Sequence, residues 1–222
     1  MKKLKVMTLA LCAGIVMAGC NNLAKGTAIG AGGGAVLGAI IGKIAGNTAV
    51  GAAVGTAVGA GTGALIGKHM DKVKAQAEAV KNAQVETITD ANGLQGVKVT
   101  FNEGILFSTG KYALTAASNA TLQQIADVLK QNADVDVAIF GHTDSTGSDA
   151  INNPLSVNRA KAVETKLKSL GVTNIKRVEG QGSTNPVADN GTAEGRKQNR
   201  RVEVYMYASQ AMVQSAEAGT LK

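Results

Sequence analysis

Apolar and polar positions along this chain follow several rules in succession, and each rule predicts a different element. Val6 to Val16 is an almost unbroken apolar run, too short to cross a bilayer as a helix. Between Gly26 and Gly67 the period is four. Glycine recurs at Gly26, Gly30, Gly34, Gly38, Gly42 and Gly46, then at Gly51, Gly55, Gly59, Gly63 and Gly67, with Ala, Val, Ile and Leu between. That spacing puts each set on one helical face. Small residues let two helices approach closely in a bilayer, so the blocks read as a glycine-zipper helical hairpin turning at Asn47-Thr48. The first block, and less fully the second, nears the length of a membrane span. From Lys68 to Gln84 good helix formers carry a narrow stripe of Met70, Val73, Ala77 and Val80. This predicts a helical linker.

From Val85 the pattern alternates. Val85–Asp90 and Leu94–Phe101 read as two strands joined through Asn92-Gly93, a strong hairpin turn. Leu122, Ile125, Ala126, Val128 and Leu129 predict a helix over Thr115–Asn132. Val135–Phe140 reads as a strand. Ala160, Val163, Leu167 and Leu170 predict a second helix, with Pro154 in its first turn and Asn153 as its cap. Ile175–Glu179 and Val202–Tyr207 complete the strands, with a short helix between. The order β-hairpin, α, β, α, β, short helix, β predicts an α+β fold: a small mixed sheet with helices on one face. About 120 residues suffice for one core. The last segment, 208–222, is polar and Ala-rich and reads as a tail.

Composition adds the address. Lys2, Lys3 and Lys5 precede the apolar run, and Met17-Ala18-Gly19-Cys20 follows it. The arrangement is that of a secretory signal, and its end resembles a bacterial lipobox. The resemblance implies a signal peptide over 1–19, cleavage before Cys20, and lipid on the sulfur and amine of Cys20, leaving 20–25 as the lipidated N-terminus. Asn21 is not the aspartate that retains enterobacterial lipoproteins in the inner membrane, which implies the outer membrane, with the C-terminal domain in the periplasm. Cys12 leaves with the signal, so no disulfide forms within one mature chain, and the fold rests on its core. Losing three lysines lowers the formal net charge from +7 to +4. That modest excess, on a chain with no Trp, three Tyr and three Phe, gives no case for nucleic acid.

Candidate chemistry concentrates between 141 and 203. Gly141-His142-Thr143-Asp144-Ser145-Thr146-Gly147 is followed by Asn152, by Leu155-Ser156-Val157-Asn158-Arg159-Ala160, and later by Asn199-Arg200-Arg201-Val202-Glu203. A strand leading through a loop to a helix brings Asp144 and Arg159 to one rim. A carboxylate beside a guanidinium suits a zwitterion: Asp144 for an ammonium, Arg159 for a bidentate carboxylate. A helix start near Asn152 and Asn153 would add donors for an anion.

These motifs resemble the peptidoglycan-binding signature of the OmpA-like C-terminal domain, over about 120 of the 222 residues. The resemblance implies non-covalent binding of the diaminopimelate side chain of peptidoglycan, whose end carries an amine and a carboxylate on one carbon. It places the ligand contacts at Asp144, Asn152, Arg159, Asn199, Arg200 and Arg201, with Thr143 and Leu155 as matching neighbours. One position departs from the pattern. Many members carry an acid after the Phe of their first motif, and here Ser108 follows Phe107; Asn102, Glu103, Thr109 and Gly110 are the nearby groups to compensate. The expected protein is a lipoprotein tethering the outer membrane to the wall, without cofactor. The alternative is an oligomer or pore driven by the zipper, with the wall domain as anchor. Catalysis is not expected: no Gly-x-Ser-x-Gly elbow, His-Glu-x-x-His run or mature catalytic Cys occurs, and Glu179 and Asp189 lack partners. His69 and His142 are isolated, with no metal-ligand spacing; His69 falls at the expected membrane boundary. Gly63 to Lys68 misses the P-loop spacing and follows no strand.

Overall fold

A computed structural model describes residues 60–89, 94–108 and 110–221. The signal segment, Cys20, the first glycine block, the Asn92-Gly93 turn and Thr109 lie outside the described residues.

Five strands form one sheet in the order β1-β2-β5-β3-β4. β1 (Gln84–Thr89) and β2 (Gln95–Asn102) pair antiparallel, as the expected hairpin requires. β5 (Arg201–Ala208) lies antiparallel to both β2 and β3 (Val135–Gly141), so the final strand of the sheet is its centre. β3 and β4 (Ile175–Gly180) run parallel, and a parallel pair needs a crossover. The crossover helix spans Asp149–Ser169. The mixed α+β architecture is the one expected.

Alternation along each strand sorts the residues by face. Val97, Val99, Phe101, Val135, Val137, Ile139, Val202, Val204 and Met206 point into the main core. The helices cover that face. The other face carries a smaller cluster of Ile88, Ala138, Phe140 and Tyr205, where Phe140 and Tyr205 meet edge to face with centroids 5.5 Å apart.

Three expectations change. The linker is not a linker. Helix α1 runs from Ala60 to Glu78, and Ile66, Met70, Val73 and Ala77 are fully buried against β1, β2 and the neighbouring helices. An amphipathic stripe needs an apolar partner; here the partner is the sheet, so the stripe is core and not a coiled-coil seam. His69, expected at a membrane boundary, lies with Nε2 3.2 Å from the Asp134 carboxylate, ahead of β3. No helix among the described residues is long and apolar enough to cross a membrane.

The tail is not loose either. Gln210–Glu217 is a helix capped by Ser209, whose hydroxyl accepts from the Met212 N–H, and Met212, Val213 and Ala216 pack into the core beside α1.

In chain order the remaining helices are α2 (Glu103–Leu106), α3 (Ser118–Gln131), α4 (Asp149–Ser169), α5 (Ala193–Asn199) and α6, the capped tail helix. Helix α4 corrects the third expectation. It begins five residues before Pro154, with Ser148 at its N-cap, so Asn153 is not the cap and Pro154 sits within the helix. The Ile151 and Asn152 N–H groups both donate to the Ser148 carbonyl, closing a first turn that a reading centred on proline overlooks. Pro154 is exposed, where the carbonyl left without its amide partner meets water.

Helix α4 approaches the sheet unusually closely. A Cβ at Gly141 would lie 2.1 Å from the Ser156 carbonyl oxygen, and one at Gly180 would lie 2.3 Å from the Val157 nitrogen. Glycine at the ends of β3 and β4 therefore sets the depth of α4, and with it the position of Arg159.

Candidate functional site

The site forms where β3, α2 and β5 bring their ends together beneath α4. Asp144 follows β3 by three residues, and its position is fixed locally. Thr146 N–H donates to Asp144 Oδ1 at 2.8 Å. The Thr143 N–H donates to Gly182 O at 2.9 Å, and Asn152 Nδ2 donates to the carbonyls of Asp144 and Thr146 at 3.3 and 3.1 Å. Gly147 adopts φ 88°, a left-handed turn that glycine permits without strain. Asn152 thus holds the loop through its side-chain Nδ2. Leu155 lies half-buried one helical turn before Arg159.

Arg159 is almost fully buried, 1% exposed. Its Nε donates to Lys111 O at 3.1 Å and its Nη1 to His142 O at 3.4 Å, while Nη2 pairs with Glu103 Oε1. The guanidinium also lies 5.7 Å from the Phe107 ring centroid. Glu103 is itself 4% exposed; its second oxygen pairs with Arg200 Nε, and Gly110 N–H donates to Oε1 at 3.0 Å. Arg200 Nη1 then reaches Asp144 Oδ2 at 2.5 Å. Arg159, Glu103, Arg200 and Asp144 therefore form one chain of alternating charge.

Electrostatics match this geometry. Burial works against the charge on Asp144, yet hydrogen bonds from Arg200 and Thr146 outweigh it and hold the carboxyl below its ordinary value. Burial likewise opposes the charge on Arg200, and its bonds to Asp144 and Glu103 raise its pKa overall. For Arg159 burial prevails over the attraction of Glu103, and the pKa falls; a guanidinium nonetheless stays charged.

The other two residues of the late motif do different work. Asn199 Oδ1 accepts from the Val187 and Ala188 N–H groups at 2.8 and 3.0 Å, and its Nδ2 donates to Ala188 O and Asn190 Oδ1. It clamps the loop ahead of α5. Arg201 points to the opposite sheet face from the core, as alternation along β5 dictates. There its Nε donates to Glu203 Oε1 at 2.8 Å, its Nη1 to Asn199 O and its Nη2 to Asn185 O. Glu203 also meets His142 Nε2 at 3.2 Å and the Tyr205 hydroxyl at 2.7 Å. In this buried quartet, burial would raise the Glu203 pKa, but His142, Arg201 and Tyr205 drive it far down. Burial lowers the His142 pKa more than Glu203 restores it.

The structure thus brings Asp144, Arg159 and Arg200 together, sets Asn152 and Asn199 behind them as loop supports, and turns Arg201 away. Sequence reasoning left Glu103 among several possible compensators. The signal available was that it is the acid nearest before Phe107 in a motif whose usual acid is missing.

Residues 106–200 match the model of the OmpA family, and residues 1–71 match that of the YMGG-like Gly-zipper. Peptidoglycan-binding protein ArfA of Mycobacterium tuberculosis is 47% identical over 102 residues, covering 45% of this chain and 31% of ArfA. Probable lipoprotein YiaD of Escherichia coli is 34% identical over 140 residues, 63% of each chain. The chain thus spans less than two thirds of the length of these relatives. Among solved structures, the cell wall anchor of the type VI secretion system (T6SS) from Pseudomonas aeruginosa is similar with a TM-score of 0.52 and 27% identity, over 63% of this chain and 97% of that one. A putative MotB-like protein from Desulfovibrio vulgaris, 19% identical with a TM-score of 0.57, covering 67% of this chain and 96% of its own, shares the fold.

Proposed function

From an OmpA-family domain at residues 106–200, we propose that this chain is an outer-membrane lipoprotein that binds peptidoglycan non-covalently through the diaminopimelate side chain and so tethers the membrane to the wall. One observation carries the reading: two guanidiniums and two carboxylates, drawn from four separated parts of the sequence, meet in one cluster. An arginine has five N–H donors. Three of those on Arg159 are engaged, which leaves two for the carboxylate of a ligand, with Arg200 beside them. Asp144 and Glu103 take its ammonium. The Thr143 hydroxyl, buried without a hydrogen-bond partner among the described residues, is a further group for the ligand. Relatives named as a peptidoglycan-binding protein and a lipoprotein support the two halves of the proposal. The lipid at Cys20 holds the membrane and the zipper segment associates with it; many weak wall contacts add by avidity. No step of this function requires catalysis.

The test is co-sedimentation of the full chain, in detergent, with purified diaminopimelate-type sacculi. Wild type pellets with the wall; Asp144→Ala and Arg159→Ala, checked for folding by circular dichroism, stay in solution. Folded variants that pellet as well as wild type would place binding elsewhere.

A further inference from the structure

Ser108, standing where the resemblance calls for an acid, is exposed. The negative charge arrives from another direction. Glu103 opens α2, and its backbone is pinned on both sides. Its N–H donates to Arg200 O at 2.7 Å, and its carbonyl accepts from Phe107 N–H at 2.7 Å. Its carboxylate accepts from Arg159, Arg200 and the Gly110 N–H. A side chain held at so many points does not swing out to solvent.

Arg159, Arg200 and Asp144 alone would carry one net positive charge in a largely desolvated place. Such a site takes any small anion. Glu103 brings the sum to zero and makes the signs alternate. A plain carboxylate then gains from two guanidiniums and loses to two carboxylates. A zwitterion keeps the gain and turns the loss into a second attraction, because its ammonium faces the acids. Discrimination of this kind comes from repulsion built against the wrong ligand as much as from attraction to the right one.

We propose that Glu103 is the specificity-determining residue of the pocket, selecting a zwitterionic amino-acid end over an amine-free carboxylate. The proposal rests on the peptidoglycan reading above. It separates Glu103 from a residue that merely orients the two arginines, since loss of orientation weakens both ligand classes alike.

Two probes of equal length distinguish these roles: meso-diaminopimelate, and pimelate, the same dicarboxylate without amines. Their affinities for the full chain in detergent are measured by titration calorimetry. Wild type prefers diaminopimelate. In Glu103→Gln the preference shrinks by about tenfold or more, because a nearby unit charge is worth at least that in a partly buried site, and pimelate binding strengthens. Arg200→Gln leaves the cluster with net negative charge and shifts the preference the other way. Arg200 is partly exposed, so this variant carries the test should Glu103→Gln fail to fold. An unchanged ratio of the two affinities in a folded variant overturns the proposal. Equal affinity of wild type for both probes also overturns it while leaving wall binding standing. Wild type that binds neither probe and does not pellet with sacculi overturns the peptidoglycan reading and the proposal together.

Discussion

Docking of α1 has a direct energetic consequence, tested by Met70→Ala. Met70 is fully buried between the sheet and the neighbouring helices, on the same stripe as Ile66, Val73 and Ala77. Truncating a buried Met to Ala costs about 2–5 kcal/mol, through lost transfer energy and the cavity left behind. A domain of this size loses roughly 2–4 °C of melting temperature per kcal/mol. The melting temperature should therefore drop by about 5–15 °C, followed by circular dichroism of the full chain in detergent. Lys72→Ala, at an exposed position of the same helix, is the control and should melt like wild type. A truncation that begins at Val85 removes the whole stripe. Each large apolar side chain lost contributes about 1.5–3 kcal/mol, so Ile66, Met70 and Val73 together approach the roughly 5–15 kcal/mol that stabilises a typical domain. That fragment should not hold the native fold. If Met70→Ala melts as wild type does, α1 is a spacer and its burial is without thermodynamic weight.

Two further perturbations probe how the site is held. Gly141→Ala forces α4 off β3, since the new Cβ would meet the Ser156 carbonyl at 2.1 Å; overpacking of this kind costs about 1–3 kcal/mol, and the accompanying shift of Arg159 should weaken sacculus binding beyond what the drop in melting temperature explains, whereas Gly104→Ala, with open space around it, should change neither. Stability should also fall with acid in two stages. His142 has a folded pKa below its ordinary 6.5 and Glu203 one far below its ordinary 4.5, so each contributes stability that is complete above the ordinary value and is lost as pH falls towards the folded one. Melting temperature measured against pH should decline from about pH 6.5 downward and more steeply below about 4.5, and His142→Gln should flatten the upper stage; a profile that stays level from pH 7 to 5 in wild type would contradict the buried neutral imidazole.

Much of the fold was legible because the strands alternate cleanly. β1, β2, β3, β4 and β5 fall within one residue of their expected limits at nearly every end, and Leu122 to Leu129 bury as their spacing requires. What stayed hidden was tertiary. The stripe of α1 has the same period whether it faces a second helix, a membrane or a sheet, and only the apolar sheet face at β1 and β2 decides between them. The start of α4 was misplaced because Pro154 and Asn153 imitate a helix entry, while the true entry at Ser148 has no hydrogen-bonding cap and is held by backbone bonds. In the site, Asp144 and Arg159 were readable from motif spacing. Arg200 and Arg201 looked equivalent in the motif, yet Arg200 lies just before β5 and reaches Glu103 and Asp144, while Arg201 opens the strand on the face away from the core. Glu103 was hidden because its partners lie 56 and 97 residues away.

The helix that carries this stripe also limits how the zipper is arranged. The second glycine block was expected to run to Gly67 as one arm of a membrane hairpin. Ile66 is fully buried in the domain core, within the helix described from Ala60 to Glu78. Gly67 sits against the Gln95 side chain on β2. Because Ile66 is core, an arm free of the domain has only Gly51 to Leu65 of that block to draw on, fifteen residues where a spanning helix needs about 20. The second arm is therefore short for a span. The first block, Gly26 to Gly46, retains the length for membrane association by itself. Because α1 packs against the sheet, Gly63 and Gly67 move with the domain. On the proposed wall contact at Arg159 and Arg200, a pull on the pocket is transmitted through a packed core to α1, not dissipated in a loose helix.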